Sequence, residues 1–159
     1  MSASYGVQSS ASITLVDNIL GGRGPVPGPG SSGDNVALFN FGAGTATLVN
    51  NDFYTNLSSG TPTAVYASTG DAGGFTRFST AAAVDLCSFN GCLLSEGTLV
   101  SYPAFVAPGT GDFHLQSTSA CKGAGADPTS WVSSGLARRD MDLEARPQGA
   151  WDIGADEIP

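Results

Sequence analysis

The sequence predicts an all-β fold in which short strands are wound into a stack of coils. Glycine supplies 22 of 159 residues, and serine, threonine and asparagine crowd the spaces between apolar runs. That composition is rich in turn formers and poor in helix formers. The segments "SITLVDNIL" (12–20), "TATLVNNDFY" (45–54) and "AVDLCSFNGCLL" (83–94) also share one plan: a strand, a polar Asn or Asp corner, and a second short apolar stretch. Aligning Leu15, Leu48 and Leu86 spaces them by 33 and 38 residues, a period typical of solenoids with loops of variable length. The competing architecture is a β-sandwich, which also uses short strands with turn signals every ~8–12 residues.

Taken in chain order, residues 3–16 suit a first coil. "NVALFNF" (35–41) and "TAVYAS" (63–68) are further strands. In a coil of this kind each strand pairs with its equivalent in the next turn, so inward residues stack as apolar ladders. The corners need left-handed backbone angles, which Asn, Asp and Gly tolerate. "GGRGPVPGPGSSG" (21–33) and "STGDAGGF" (68–75) are loops pushed out of the coil. The former lacks the Gly-Lys-Ser/Thr ending of a phosphate loop. One helix is predicted, "DPTSWVSSG" (127–135), with Asp127 as N-cap, Pro128 in its first turn and Gly135 as its stop.

Charge excludes several classes. The net charge is −8, and the basic residues Arg23, Arg77, Lys122, Arg138, Arg139 and Arg146 are few and scattered. Nucleic acid and anionic membrane surfaces need clustered cations, so neither is an expected partner. No apolar run reaches the roughly 20 residues that span a bilayer. "MSASYGVQSS" has neither the basic start nor the apolar core of a signal peptide, which suits a protein acting inside a cell or an excised piece of an exported one. Cys87 and Cys92 flank "SFNG", whose Asn90–Gly91 favours a tight turn and makes them a candidate disulfide, with Cys121 left over. Three buried thiols suit the same residues.

From Tyr102 onward the chain carries a run of phrases. Phe105 and Val106 follow Pro103, then come Gly111, Asp112, Phe113 and Leu115, then Ser119 and "GAG" (123–125), then Asp140, Asp142, Arg146, Pro147 and "DIGADE" (152–157). In this order they resemble the C-terminal end of bacterial extracellular right-handed parallel β-helix proteins of the choice-of-anchor type. The sequence departs from that pattern with Tyr102 in place of Asp, Ala120 in place of Pro and Leu143 in place of Gly. The resemblance covers about a third of the chain. It implies a right-handed parallel β-helix and an address outside the cell or on its surface, but no single activity.

The tail "DMDLEARPQGAWDIGADE" (140–157) holds six of the fourteen acidic residues and one basic residue. A calcium loop starting at Asp140 would need Gly and Glu where Ala145 and Trp151 stand. The cluster is instead expected to be a structural cap formed by Asp140, Asp142, Arg146, Trp151, Asp152 and Glu157. Arg146 would bond one or more of the carboxylates, and Trp151 and Ile153 would cover the open end of the apolar stack. No metal or cofactor is expected. His114, the only histidine, alternates with Phe113 and Leu115 and should face outward, with Asp112 fixing a turn.

Two carboxylates at ~5–9.5 Å would be needed for glycoside hydrolysis. Asp17 and Asp52, near equivalent corners, are the pair an enzyme would use. Lyase chemistry would want more Lys and Arg than the chain has. Tyr54, Tyr66, Phe75, Phe78 and Tyr102 are flat rings on which sugars could stack.

The expected protein is therefore one domain of four to six coils, with residues 1–101 as coils and 102–159 as last coil and cap. Its expected function is non-catalytic adhesion, glycan contact or self-assembly. The alternative is a polysaccharide lyase or glycoside hydrolase, or a fragment of one. Expected partners are polysaccharide and either a second copy or missing upstream coils, met through the uncapped N-terminal coil, where Ile13 and Leu15 should point inward.

Overall fold

A computed structural model of the protein describes residues 4–22, 35–40, 44–55, 62–68, 75–131, 138–147 and 149–158. Among these the fold is mostly strand, with one short α-helix and two 3-10 turns. The chain lays down β1 (Ser4–Ser9), β2 (Ile13–Val16) and β3 (Ile19–Gly22), then repeats the sequence as β4 (Asn35–Asn40), β5 (Ala46–Val49) and β6 (Asp52–Thr55). Each second-pass strand pairs in parallel with its first-pass counterpart, with Leu15 opposite Leu48 and Ile19 opposite Asp52. A third pass adds β7 (Pro62–Ser68) beside β4, β9 (Cys92–Glu96) beside β5 and Leu99 beside Asp52, again all parallel. The described residues thus make three passes, where four to six coils were expected.

Leu48, Ala46, Leu38, Val65 and Phe53 are fully buried between the passes, and the first-pass residues Ile13, Leu15 and Leu20 pack against them from one end, only partly covered. The corner after β2 recurs with a left-handed backbone at Asp17 (φ 54°), Asn50 (φ 49°) and Gly97 (φ 65°). Gly97 is required there for space as well as conformation, because a Cβ would lie 2.7 Å from the Asn50 side chain. One residue on, the buried Asn51 donates from Nδ2 to Leu15 O (2.9 Å) and Val49 O (3.1 Å), and its Oδ1 accepts from Asn18 N (3.0 Å). The passes are thereby tied at the corner by side chains as well as by strand pairing.

The third repeat departs from the predicted alignment. Leu48 faces Ser95, and Leu86 lies at the end of α1 (Ala81–Asp85), largely exposed. "AVDL" looked like an alternating strand, but Thr80 caps Ala83 N and three alanines follow, which favours a helix. Before it, β8 (Phe75–Phe78) turns back antiparallel on β7, so Phe75 begins a strand. Residues 23–33 and 69–74 of the two predicted loops lie outside the described residues. Cys87 and Cys92 are disulfide-bonded, with Cα atoms 5.5 Å apart, and Cys121 is a buried free thiol.

The segment expected to form the last coil contains a hairpin. β10 (Phe105–Ala107) and β11 (Asp112–Leu115) pair antiparallel around a 3-10 turn at Pro108–Thr110. Within the predicted helix at 127–135 the described residues form a 3-10 turn at Pro128–Ser130, capped by Asp127 on Thr129 N (2.9 Å); residues 132–135 lie outside the described residues. The C-terminal segment runs along one side of the passes. Ile153, fully buried, shares a second core with Leu115 and Cys121, and Ile19 from the first pass and Leu99 from the third pack against it.

Candidate functional site

The two carboxylates singled out in the sequence come to different places. The register puts Asp17 in line with Asn50, and Asp52 opposite Ile19 on a strand. Asp52 is fully buried. Its Oδ1 accepts from Ser101 N (3.0 Å), and its Oδ2 from Ser101 Oγ (3.3 Å) and the Cys121 thiol (3.4 Å). Burial raises its pKa against these hydrogen bonds, and burial together with the Asp52 charge pushes the Cys121 thiol up to about 12. Asp17 and Asp52 are therefore not at equivalent corners: one is a corner residue, and the other lies two positions further along, on the following strand.

Asp17 sits where the first pass meets the C-terminal segment. Ala126 N donates to its Oδ1 (2.8 Å), and Gly154 N donates to its backbone oxygen (2.9 Å). Its Oδ2 is buried with no hydrogen-bond partner among the described residues. Burial raises the carboxyl to about 6, opposed by the Ala126 hydrogen bond and the Arg146 charge and reinforced by Glu157.

Asp17 also lines a cavity of about 530 Å³ with Asn18, Tyr54, Phe105, Phe113 and Asp156. The rings beside it form a connected row: Tyr54 to Tyr102 at 5.3 Å between centroids, Tyr102 to Phe105 at 6.4 Å, and Phe105 to Phe113 at 5.4 Å. All three contacts are edge-on, the geometry that suits ring quadrupoles. Tyr102 and Phe113 remain 52% and 49% exposed, which leaves ring faces open to solvent. Phe113 was expected to point inward beside His114; it instead packs on Phe105 at the cavity.

His114 has partners on both ring nitrogens: Nδ1 lies 2.6 Å from Asp112 Oδ1 and Nε2 lies 2.9 Å from Asp142 Oδ2. The two hydrogen bonds raise its pKa to about 9 and hold that of Asp112 down. Asp156, also at this spot, accepts from Leu115 N through Oδ2 (2.6 Å).

Of the predicted cap residues, Arg146 donates from Nε to Glu157 Oε2 (2.6 Å) and from Nη2 to Asp152 O (2.8 Å), and its guanidinium lies 5.4 Å from the Trp151 ring centre. Asp152 accepts from Gly123 N (2.5 Å) and Ile158 N (2.7 Å), and Asp140 from Asp142 N (2.9 Å) and Glu144 N (2.8 Å). Asp142 meets His114 and not Arg146.

Of the five rings considered for sugar stacking, Tyr54 and Tyr102 stand in this row, and Phe78 is a core residue against Phe89. Tyr66 and Phe75 lie on β7 and β8. Phe105, Phe113 and Asp156 were missed as site residues. The available signal was the strand–PGTG–strand pattern, which predicts a hairpin carrying its aromatics on one face. Comparison with protein families, curated proteins and solved structures yields no match.

Proposed function

We propose that the chain is a module of a right-handed parallel β-helix protein, outside the cell or on its surface, that contacts glycans without catalysis. The observation that carries this is the row of half-exposed rings beside a cavity whose polar residues are acids and an amide. Sugars offer apolar ring faces on which half-exposed aromatics can stack, so this row beside a cavity suits them. The parallel three-pass pairing with a recurring left-handed corner supports the β-helix reading, as does the resemblance of residues 102–157 to that family.

The carboxylates argue against hydrolysis. Asp52 is sealed in the core, while Asp17 has one oxygen bonded to Ala126 N and the other shut from solvent. A general acid must reach the proton acceptor on its substrate.

Self-association is part of the proposal. β1, β2 and β3 are edge strands, and Ile13, Leu15 and Leu20 half-expose the end of the apolar stack. A second copy or a preceding coil would complete both the pairing and the burial.

The test is a screen of soluble polysaccharides by affinity electrophoresis, followed by Phe113→Ala and Tyr102→Ala on any ligand retained. Each variant should weaken retention about three- to tenfold, the worth of one ring contact. Retention unchanged in both variants would remove the aromatic site. Release of reducing ends that is lost on Asp17→Asn would establish catalysis instead.

A further inference from the structure

We propose that His114, Asp142 and Asp156 bind a first-row divalent transition-metal ion at the edge of the aromatic cavity. One ligand atom from each residue lies within 4.8 Å of the other two. The three come from separate stretches, β11, the 140–144 turn and the 152–157 segment, and are brought together only by the fold. Asp142 is held in place by its own N–H, which donates to Asp140 Oδ1 (2.9 Å).

The donor set decides the kind of ion. Calcium and magnesium take oxygen ligands, whereas an imidazole nitrogen with two carboxylates suits zinc, manganese or cobalt. Ligands of a tetrahedral zinc ion stand ~3.3 Å apart, from bonds of ~2.0–2.1 Å. The 2.9 Å between His114 Nε2 and Asp142 Oδ2 is therefore close to a ligand spacing and needs only a slight opening.

Two further observations point the same way. His114 Nδ1 lies 2.6 Å from Asp112, and a carboxylate accepting that proton fixes the ring orientation, so that Nε2 offers its lone pair on the Asp142 side once an ion displaces its proton. This outer-shell arrangement is typical of metal-bound histidine. Asp156 is 93% buried (7% exposed), its Oδ2 accepts from Leu115 N (2.6 Å), and the fold brings this carboxylate, largely withdrawn from water, to His114 and Asp142. Asp156 and the neighbouring Met141 both line the aromatic cavity, so a ligand position left open on the ion would face it. The ion would give the cavity a Lewis-acidic point for a hydroxyl or carboxylate group. This inference stands apart from the glycan reading, since the ligands are not the stacking rings.

The chain's single histidine makes the experiment direct, because its imidazole NMR signals report on this site alone. Zinc chloride is titrated into the full chain at pH 8, followed by calorimetry and by the His114 ring signals. One ion per chain with a shift of those signals is expected. His114→Gln should abolish uptake, and Asp112→Asn should weaken it about 10- to 100-fold while leaving all three ligands in place. Calcium in excess should not displace the zinc. Absence of uptake, or uptake that leaves the His114 signals unmoved, would overturn the proposal. So would equal affinity in folded His114→Gln, which would mean surface carboxylates alone hold the ion.

Discussion

In the middle of the parallel strands, Leu48 stacks between Leu15 on one side and Ser95 on the other. In the C-terminal segment, Asp152 is just as buried, but its carboxylate takes the backbone N–H groups of Gly123 and Ile158. Asp17 and Asp156 do the same for Ala126 and Leu115. The first region gains stability from apolar burial and strand ladders. The second replaces the missing ladder with carboxylate oxygens that accept backbone protons. Buried backbone donors must be satisfied in either case. The two solutions respond differently to truncation, to loss of charge and to pH.

The largest effect is expected from Phe53→Ala. Phe53 is fully buried between the passes, and removing its ring should cost ~3–5 kcal/mol. Hydrogen exchange should then show lost protection in both regions, because both pack on the same strands. Protection lost only near β6 would mean that the passes are not one cooperative unit.

Arg146→Ala should cost nearly as much but fall unevenly. The Arg146 and Glu157 side chains are 8% and 1% exposed, and removing the cation leaves a buried carboxylate unpaired, at ~3–5 kcal/mol. The amides of Gly123, Gly125 and Ile158 should lose protection first, while those of Asn50 and Phe53, bonded to Glu96 and Leu99, keep theirs. Adding Glu157→Gln should recover much of the loss. Even loss across all these amides would erase the contrast between the regions.

Asp17→Asn is the smaller effect, and its sign is reversed. Asp17 is raised to about 6 in the folded protein from an ordinary value of 3.8. Its folded-state advantage is therefore complete below pH ~4 and is lost as pH rises through about 6, leaving a penalty of up to roughly 3 kcal/mol at pH 8. Asparagine keeps the left-handed corner, as Asn50 does one pass on, and offers a donor where Asp17 has a bare oxygen. The variant should melt higher at pH 8 and match the native protein at pH 4. A melting temperature lowered at both pH values would show that the charge itself is needed at this junction.

The legible part of the fold was the part built on repetition. Leu15 and Leu48 are in register because strands that pair in parallel place like residues over like, which leaves a 33-residue echo in the sequence. The echo fails at the third pass because α1 interrupts the route to β9, and Thr80 with three alanines was its unread signature. Asp17 was legible as a corner residue. Its pairing with Asp52 was not, since two positions that look equivalent in sequence differ by two in register and so change place from corner to core. The site was harder still. Tyr54, Phe105 and Asp156 meet only through contacts between distant segments, which leave no period to find. His114 looked isolated because Asp112 was read as fixing a turn and its distant partner, Asp142, belongs to a tail that could be read as a closing cap.

The turn at Pro108–Thr110 carries a consequence for diversification. At Gly109 and Gly111 nothing lies within 4 Å of where a side chain would begin, yet the hairpin they close carries Phe105 and Phe113 at the cavity. Lengthening such a loop costs only about 0.6 kcal/mol for each doubling. Inserted residues would extend from the hairpin whose Phe105 and Phe113 line the cavity. The turn is thus a place where natural drift or a library of grafted sequences can change the surroundings of the cavity while the strands beneath go on folding as before.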